Sequence, residues 1–140
     1  MLAAAALAVL GVALWMLVGR SSDSGKTNDR QGVSQALFQE ETGVRVIRVA
    51  VTGGGGLVDL RYQVTDPDKA VVVHDDPLAL VDEATGEVID DLFMGHGSKG
   101  QPQAGLTYPV LFVNRQGLVK RGRTVSVLIG DSRLEHVTVQ

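Results

Sequence analysis

An uncharged apolar run at the start of the chain constrains its structure more than any other feature. Residues 2–18 read LAAAALAVLGVALWMLV and include no charged side chain. A helix of this length extends roughly 25 Å, near the lower limit for crossing the hydrocarbon core of a bilayer. The alternative, a buried core helix, needs a domain large enough to surround it, and a single small β domain is not. We therefore predict a transmembrane anchor over residues 1–19.

A cleaved signal peptide is the alternative interpretation of this run. Signal peptides begin with basic residues, contain a shorter apolar stretch and end at a small-x-small cleavage site. This chain has no Lys or Arg before the run, and Arg20 lies where a small residue is expected. The mismatches favour an anchor that is not cleaved. Trp15, near the end of the run, is then placed to lie at the level of the lipid headgroups.

Composition argues against several classes of function. The formal net charge is −3, so the chain lacks the basic excess with which a protein displaces counterions from nucleic acid. It contains no cysteine, which removes disulfides, zinc–thiolate sites and thiol nucleophiles together. No nucleophile elbow, zinc-protease helix or kinase loop occurs in the sequence. We expect a protein that is not an enzyme, has no cofactor and does not bind nucleic acid.

Two short segments connect the predicted anchor to the rest of the chain. Residues 20–32, RSSDSGKTNDRQG, are polar and without periodicity, which is the composition of a flexible linker. Residues 33–43 are predicted to hold a short helix that ends at Thr42 and Gly43. Its spacing places Val33, Ala36 and Leu37 on one face.

Residues 44–140 are predicted to form an all-β domain. Short Val-rich runs alternate with turn residues, and about seven or eight strands in roughly a hundred residues are typical of an immunoglobulin-like β-sandwich. The second run alternates cleanly, with Val58, Leu60, Tyr62 and Val64 on one face. The tetraglycine 53–56 lacks the Lys-Ser/Thr pair of a phosphate-binding loop and is interpreted as a hairpin tip. The predicted strands are 44–52, 57–65, 70–73, 78–81, 88–89, 108–113, 124–129 and 134–139.

A long exposed loop is predicted between Asp91 and Leu106, where the strand pattern is absent. Two residues of this loop, Met94 and His96, and the more distant His74 are of the types that hold copper. Their spacing matches no paired motif, so loop residues without a ligand are the favoured interpretation and a copper site is the alternative.

Charged residues are segregated along the sequence. An acidic stretch free of Lys and Arg is interpreted as a solvated face of a hairpin. If it has a function, that function is attraction of a basic partner. Calcium is disfavoured because the Asp-x-Asp-x-Asp-Gly spacing is absent. The basic residues of the 114–124 turn are suited to anionic lipid headgroups or to keeping a sheet edge soluble. The acidic residues are Asp75, Asp76, Asp82, Glu83, Glu87, Asp90 and Asp91, and the basic ones are Arg115, Lys120, Arg121 and Arg123.

Four segments resemble a group of bacterial exported proteins that carry an N-terminal hydrophobic segment followed by one β domain. They are LVDLRYQVTDPDKA (57–70), LVDEATG (80–86), YPVLFVN (108–114) and GRTVSVLIGDSRLEHVTV (122–139). The matching residues lie in turns and strands, so the resemblance implies export but no activity and no site residues. Arg20, Lys26 and Arg30 would alone favour a cytoplasmic domain, but this excess is small. We expect a single-pass protein of the bacterial inner membrane with its β domain in the periplasm.

The function expected from the sequence is that of a non-catalytic accessory subunit. Small residues on one side of the apolar run, Ala4, Ala8 and Gly11, permit close packing against an integral membrane complex of the respiratory or photosynthetic kind. Trp15 and the acidic pairs Asp75, Asp76, Asp90 and Asp91 complete the predicted partner-binding residues, with lipid as a further partner. The alternatives are a periplasmic copper or ligand carrier and an envelope scaffold or adhesion module.

Overall fold

A computed structural model describes residues 34–93 and 100–140. Residues Val33–Gln140 form one compact unit. In the described part of the chain, no helix is long and apolar enough to cross a bilayer. The predicted anchor over 1–19 and the linker over 20–32 lie outside the described residues.

The described unit is mainly β, with two antiparallel sheets of three and four strands. The first sheet has the order β1-β2-β5 and the second the order β4-β3-β6-β7. This confirms the predicted β-rich domain. The strands are β1 (Val44–Thr52), β2 (Leu57–Val64), β3 (Leu78–Asp82), β4 (Val88–Ile89), β5 (Thr107–Val113), β6 (Thr124–Ile129) and β7 (Ser132–Thr138).

The first sheet is built on the hairpin that the sequence predicted. Strands β1 and β2 pair from Val44 opposite Val64 to Thr52 opposite Leu57. A tight turn at Gly53–Gly55, where all three glycines have positive φ, connects them. The alternating apolar face of β2 is buried as predicted. Strand β5 then pairs antiparallel with the other edge of β2.

Two short connections join the sheets at their edges. After β4 the chain crosses to the first sheet, where Leu92 forms an antiparallel bridge with Phe112 of β5. After β7, Val139 bridges in parallel to Val49 of β1. Both free edges of the first sheet are therefore partly covered, which protects them from pairing with other chains.

One hydrophobic core lies between the sheets. Val58, Leu60 and Phe112 come from the first sheet, and Leu80 and Val127 from the second; all five are at most 1% exposed. The apolar cluster extends from Phe38 to Val139. Residues 33–140 therefore have a core of their own.

The predicted strand at 70–73 is wrong. Two single helical turns, α2 (Pro67–Ala70) and α3 (Val72–Asp75), occupy that segment. The Asp66 carboxylate caps α2 by accepting hydrogen bonds from the amides of Asp68 and Lys69, and a proline at the first helical position is preorganised for a helix. The cap and the proline outweigh the β propensity of the valines that follow.

The predicted short helix is present at residues 34–42, here α1, but it buries a different face. Leu37 is 54% exposed, whereas Phe38 is 1% exposed and belongs to the core. Burying the larger aromatic side chain removes more apolar surface from water. The Thr42 hydroxyl donates to the carbonyl of Phe38 and closes the last turn.

Candidate functional site

The segment between β5 and β6 carries the densest positive charge of the domain. We call residues 114–123 the basic loop. It holds Arg115, Lys120, Arg121 and Arg123, and no Asp or Glu occurs in the sequence between Asp91 and Asp131. The loop therefore presents cations with no acidic residue of its own.

A buried asparagine fixes the shape of this loop. Asn114 is 4% exposed, and its side-chain amide donates to the carbonyls of Gly55 at 2.8 Å and Val119 at 2.9 Å. Its side-chain oxygen accepts from the amide of Val119 at 2.9 Å. Its backbone amide donates to the carbonyl of Gly56. One residue thus joins the basic loop to the tip of the β1–β2 hairpin.

A second contact anchors the middle of the basic loop. Val119 is 1% exposed and belongs to the core. Between it and Asn114 the chain makes a tight turn, in which Gln116 and Gly117 have φ of 56° and 61°. The cations therefore project from a segment that is attached at two points, so little conformational entropy is lost when they bind.

Two of the four cations are held by carboxylates. Arg115 forms an ion pair with Asp91, and a guanidinium nitrogen of Arg123 lies 3.6 Å from the carboxylate of Asp82. In the part of the chain that the structure describes, Lys120 and Arg121 form no ion pair and both are exposed. The loop therefore offers two positioned guanidinium groups and two unneutralised charges.

Two shallow concavities flank the loop. One, of about 490 Å³, is lined by Arg115, Lys120 and Arg123 together with Glu87 and the apolar side chains of Val88 and Leu118. The other, of about 400 Å³, lies toward the end of β1 and is lined in part by Thr52, Lys120 and Arg121. Lys120 lines both, so it is the central cation of the surface.

Part of the acidic stretch is not the solvated face that the sequence predicted. Asp82 is fully buried, and one of its oxygens accepts from the amide and hydroxyl of Thr85. The Asp82 carboxylate thereby shapes the β3–β4 turn. It also positions Arg123 of the basic loop, because an unpaired buried carboxylate is costly. Asp75, Asp76 and Asp90 are exposed as expected.

Glu83 lies in a polar network at a bulge of the second sheet. Its carboxylate accepts from the Ser126 hydroxyl at 2.8 Å and from the His136 amide at 2.7 Å, and lies 2.9 Å from the His136 ring. His136 has a φ of 61°. A nucleophilic triad needs the histidine against the serine, but here the carboxylate lies between them and Ser126 is fully buried. This arrangement braces the bulge.

The network makes stability depend on pH. Burial alone would raise the pKa of Glu83, but hydrogen bonds from His136, Ser126 and Thr124 outweigh it and lower the pKa from 4.5 to about 2. A carboxyl whose pKa falls on folding stabilises the protein above its unfolded pKa, and that contribution is lost as the pH falls toward about 2. We expect Glu83→Gln to lower the free energy of unfolding at pH 7, with the deficit shrinking below about pH 4.5. Urea unfolding of both proteins between pH 7 and 2.5 measures it; a deficit independent of pH would contradict this interpretation.

A second buried carboxylate lies in the first sheet. Asp59 accepts from Arg48 at 3.1 Å and from Arg61 at 3.0 Å, both through the same oxygen. Its other oxygen is buried and has no partner among the described residues. The two arginines compensate the buried carboxylate and leave one positive charge on this face of the sheet.

Only one of the three predicted metal ligands lies in the described part of the chain. His74 lies in α3 and is half-buried, while Met94 and His96 lie outside the described residues. Within residues 34–93 and 100–140, no group of three or more His, Cys, Asp or Glu side chains is placed to hold a metal. The copper alternative therefore stays a prediction.

The predicted partner-binding residues fall into two sets. Asp75 and Asp76 lie at the end of α3, and Asp90 and Asp91 follow β4. Asp91 is already engaged with Arg115. The apolar residues of the other set, Ala4, Ala8, Gly11 and Trp15, lie outside the described residues.

Comparisons with protein-family models, with curated proteins and with solved structures found no match.

Proposed function

We propose that this chain is a non-catalytic accessory subunit of a membrane complex, held in the bacterial inner membrane by its first nineteen residues. The basic loop is the structural observation that carries the partner-binding part of the proposal. It is rigid, exposed and cationic, with Lys120 and Arg121 unneutralised among the described residues. Such a surface is suited to binding a negatively charged partner, since complementary charge steers association.

The strand order supports an immunoglobulin-like sandwich as the framework of this subunit. In that fold, strands A, B and E lie in one sheet and C, F and G in the other, with a C′ strand added beside C in some members. Assigning β1 to β7 to A, B, C, C′, E, F and G reproduces the observed sheets. Residue Leu92, which bridges to β5, takes the position of strand D beside E. Domains of this kind use their loops to bind other molecules.

The membrane part of the proposal rests on the sequence. The apolar run at 2–18 is long enough to cross a bilayer at its lower limit. The resemblance to exported proteins with one β domain favours a periplasmic location. Ala4, Ala8 and Gly11 share one side of the predicted helix, where small residues allow another helix to approach closely.

Bulky substitutions on the small-residue side of the helix should weaken assembly. Apolar side chains gain little by leaving lipid for protein, so helix association depends on close packing. We expect Ala8→Leu with Gly11→Leu to lower recovery with the complex roughly fivefold, or ~1 kcal/mol. The matched control, Ala6→Leu with Ala13→Leu, places the same bulk on the opposite side and should be neutral. Pull-down yield from solubilised membranes measures both, with membrane insertion checked separately.

Reversing the charges of the exposed residues Asp75, Asp76 and Asp90 should have a smaller effect. Exposed charges are screened by salt, so the loss should be modest and should disappear at high ionic strength. If the helix variant copurifies normally while the acidic variant is lost, the β domain docks through its acidic residues and the proposed packing of the helix against the complex is wrong.

A further inference from the structure

We infer that the basic loop binds an acidic segment of a partner protein at the end of the β domain remote from the point where the chain enters it. The inference deepens the proposed function by naming the chemistry of the partner. It rests on the proposed function only in taking that partner to belong to a membrane complex.

The position of the loop supports this assignment. The chain enters the first sheet at Gly43, the residue before β1, which spans Val44–Thr52 and nine residues. A strand of that length places its two ends about 26 Å apart. The concavity shared by Lys120 and Arg121 is lined by Val51 and Thr52, so the basic loop lies at the far end. A partner reaching it approaches from the side opposite the point where the chain enters the sheet.

The charges of the loop are arranged for carboxylates. Arg115 is 77% exposed at its side chain although it pairs with Asp91, and Arg123 is 42% exposed although it contacts Asp82. Each guanidinium is thus positioned by one carboxylate and still accessible to a second, and guanidinium groups bind carboxylates through two parallel hydrogen bonds. Lys120 and Arg121 add charge that no described residue neutralises.

The larger concavity adds an apolar component. Val88, 57% exposed, and Leu118 line it beside the three cations and the single carboxylate of Glu87. An acidic segment with an apolar side chain matches this surface better than a bare phosphate does. The loop itself presents no fully exposed large apolar residue, since Leu118 is half-buried and Val119 is buried. Insertion into a bilayer is therefore less favoured than contact with a protein.

The test uses the full chain in detergent micelles, isotopically labelled, with amide chemical shifts as the readout. Three probes are titrated separately: a ten-residue oligoglutamate peptide, a short-chain phosphatidylglycerol and inorganic phosphate. We expect the peptide to shift the amide signals of residues 115–123. Affinity should fall about fivefold in Lys120→Gln with Arg121→Gln, the effect of removing two exposed cations. The control, Arg45→Gln with Lys69→Gln, removes the same charge at the end of the domain near Gly43 and should bind as the unaltered chain does.

Three outcomes would overturn the inference. If the two double variants weaken peptide affinity equally, the binding depends on net charge and not on the basic loop. Shifts produced by phosphatidylglycerol but not by the peptide would make the loop a lipid-binding surface. Shifts produced by phosphate as strongly as by the peptide would make it a simple anion site. If the full-length chain is recovered from native membranes without partner chains but still binds the peptide, the proposed function is wrong and this inference still stands.

Discussion

Asn114→Ala is expected to lower the free energy of unfolding by about 3 kcal/mol, because it leaves two buried polar groups and one part-buried carbonyl unpaired, at a cost of about 1–3 kcal/mol for each buried group. The groups left without partners are the carbonyls of Gly55 and Val119 and the amide of Val119. No other residue of the basic loop makes as many hydrogen bonds with its side chain. Urea unfolding followed by circular dichroism measures the change. The same variant should bind the oligoglutamate peptide more weakly, since its cations lose their fixed positions.

Gln63→Ala is the matched control for this prediction. Gln63 also donates its side-chain amide to a carbonyl, that of Gly105 at 3.0 Å, but in an exposed setting. Water can replace that hydrogen bond, so the cost should stay below about 1 kcal/mol. If both variants lose the same small amount, Asn114 does not organise the loop. The account of its rigidity would then be wrong.

Gly43→Ala is expected to cost about 3 kcal/mol or more, because it combines an unfavourable backbone conformation with a steric clash. Gly43 has a φ of 69°, and a methyl group there would meet the carbonyl oxygen of Asp66 at 2.5 Å and the Cβ of Lys69 at 2.7 Å. The same glycine accepts hydrogen bonds from the amides of Thr65 and Asp66. The contact therefore locks α1 against the start of α2, and thermal unfolding should show a large fall in Tm.

Gly54→Ala separates the two contributions. Gly54 has a φ of 65°, nearly that of Gly43, but a methyl group there meets nothing within 4 Å. Its cost should be only that of the left-handed conformation, about 1 kcal/mol. A Gly43→Ala variant no less stable than Gly54→Ala would mean that Gly43 does not pack against Asp66 and Lys69 as described.

The strands were predictable from the sequence where local patterns and tertiary packing agree. The alternation of β2 and its glycine-rich turn identify the first hairpin, because period-two patterning and turn chemistry indicate the same structure. The strand predicted at 70–73 was wrong because three consecutive valines favour a strand, whereas Asp66 and Pro67, a few residues earlier, begin a helix. The face of α1 was misplaced because periodicity alone does not distinguish Leu37 from its neighbour Phe38.

The site was predictable only in part. The charges at 115–123 are visible in the sequence, but what organises them is not. Asn114 reads as an ordinary turn residue, and its partner Gly55 lies 59 positions away. Asp82 reads as one of several solvated carboxylates, and only the fold reveals that it is buried against Arg123.

Purification of the full-length chain from native membranes tests the central claim most directly. With an affinity tag and mild detergent, the account predicts that the protein migrates in an assembly larger than itself and that the same partner chains accompany it at constant stoichiometry. Acidic segments in one of those partners should crosslink to the basic loop. A lone monomer in the membrane, or a monomer carrying stoichiometric copper, would contradict the account.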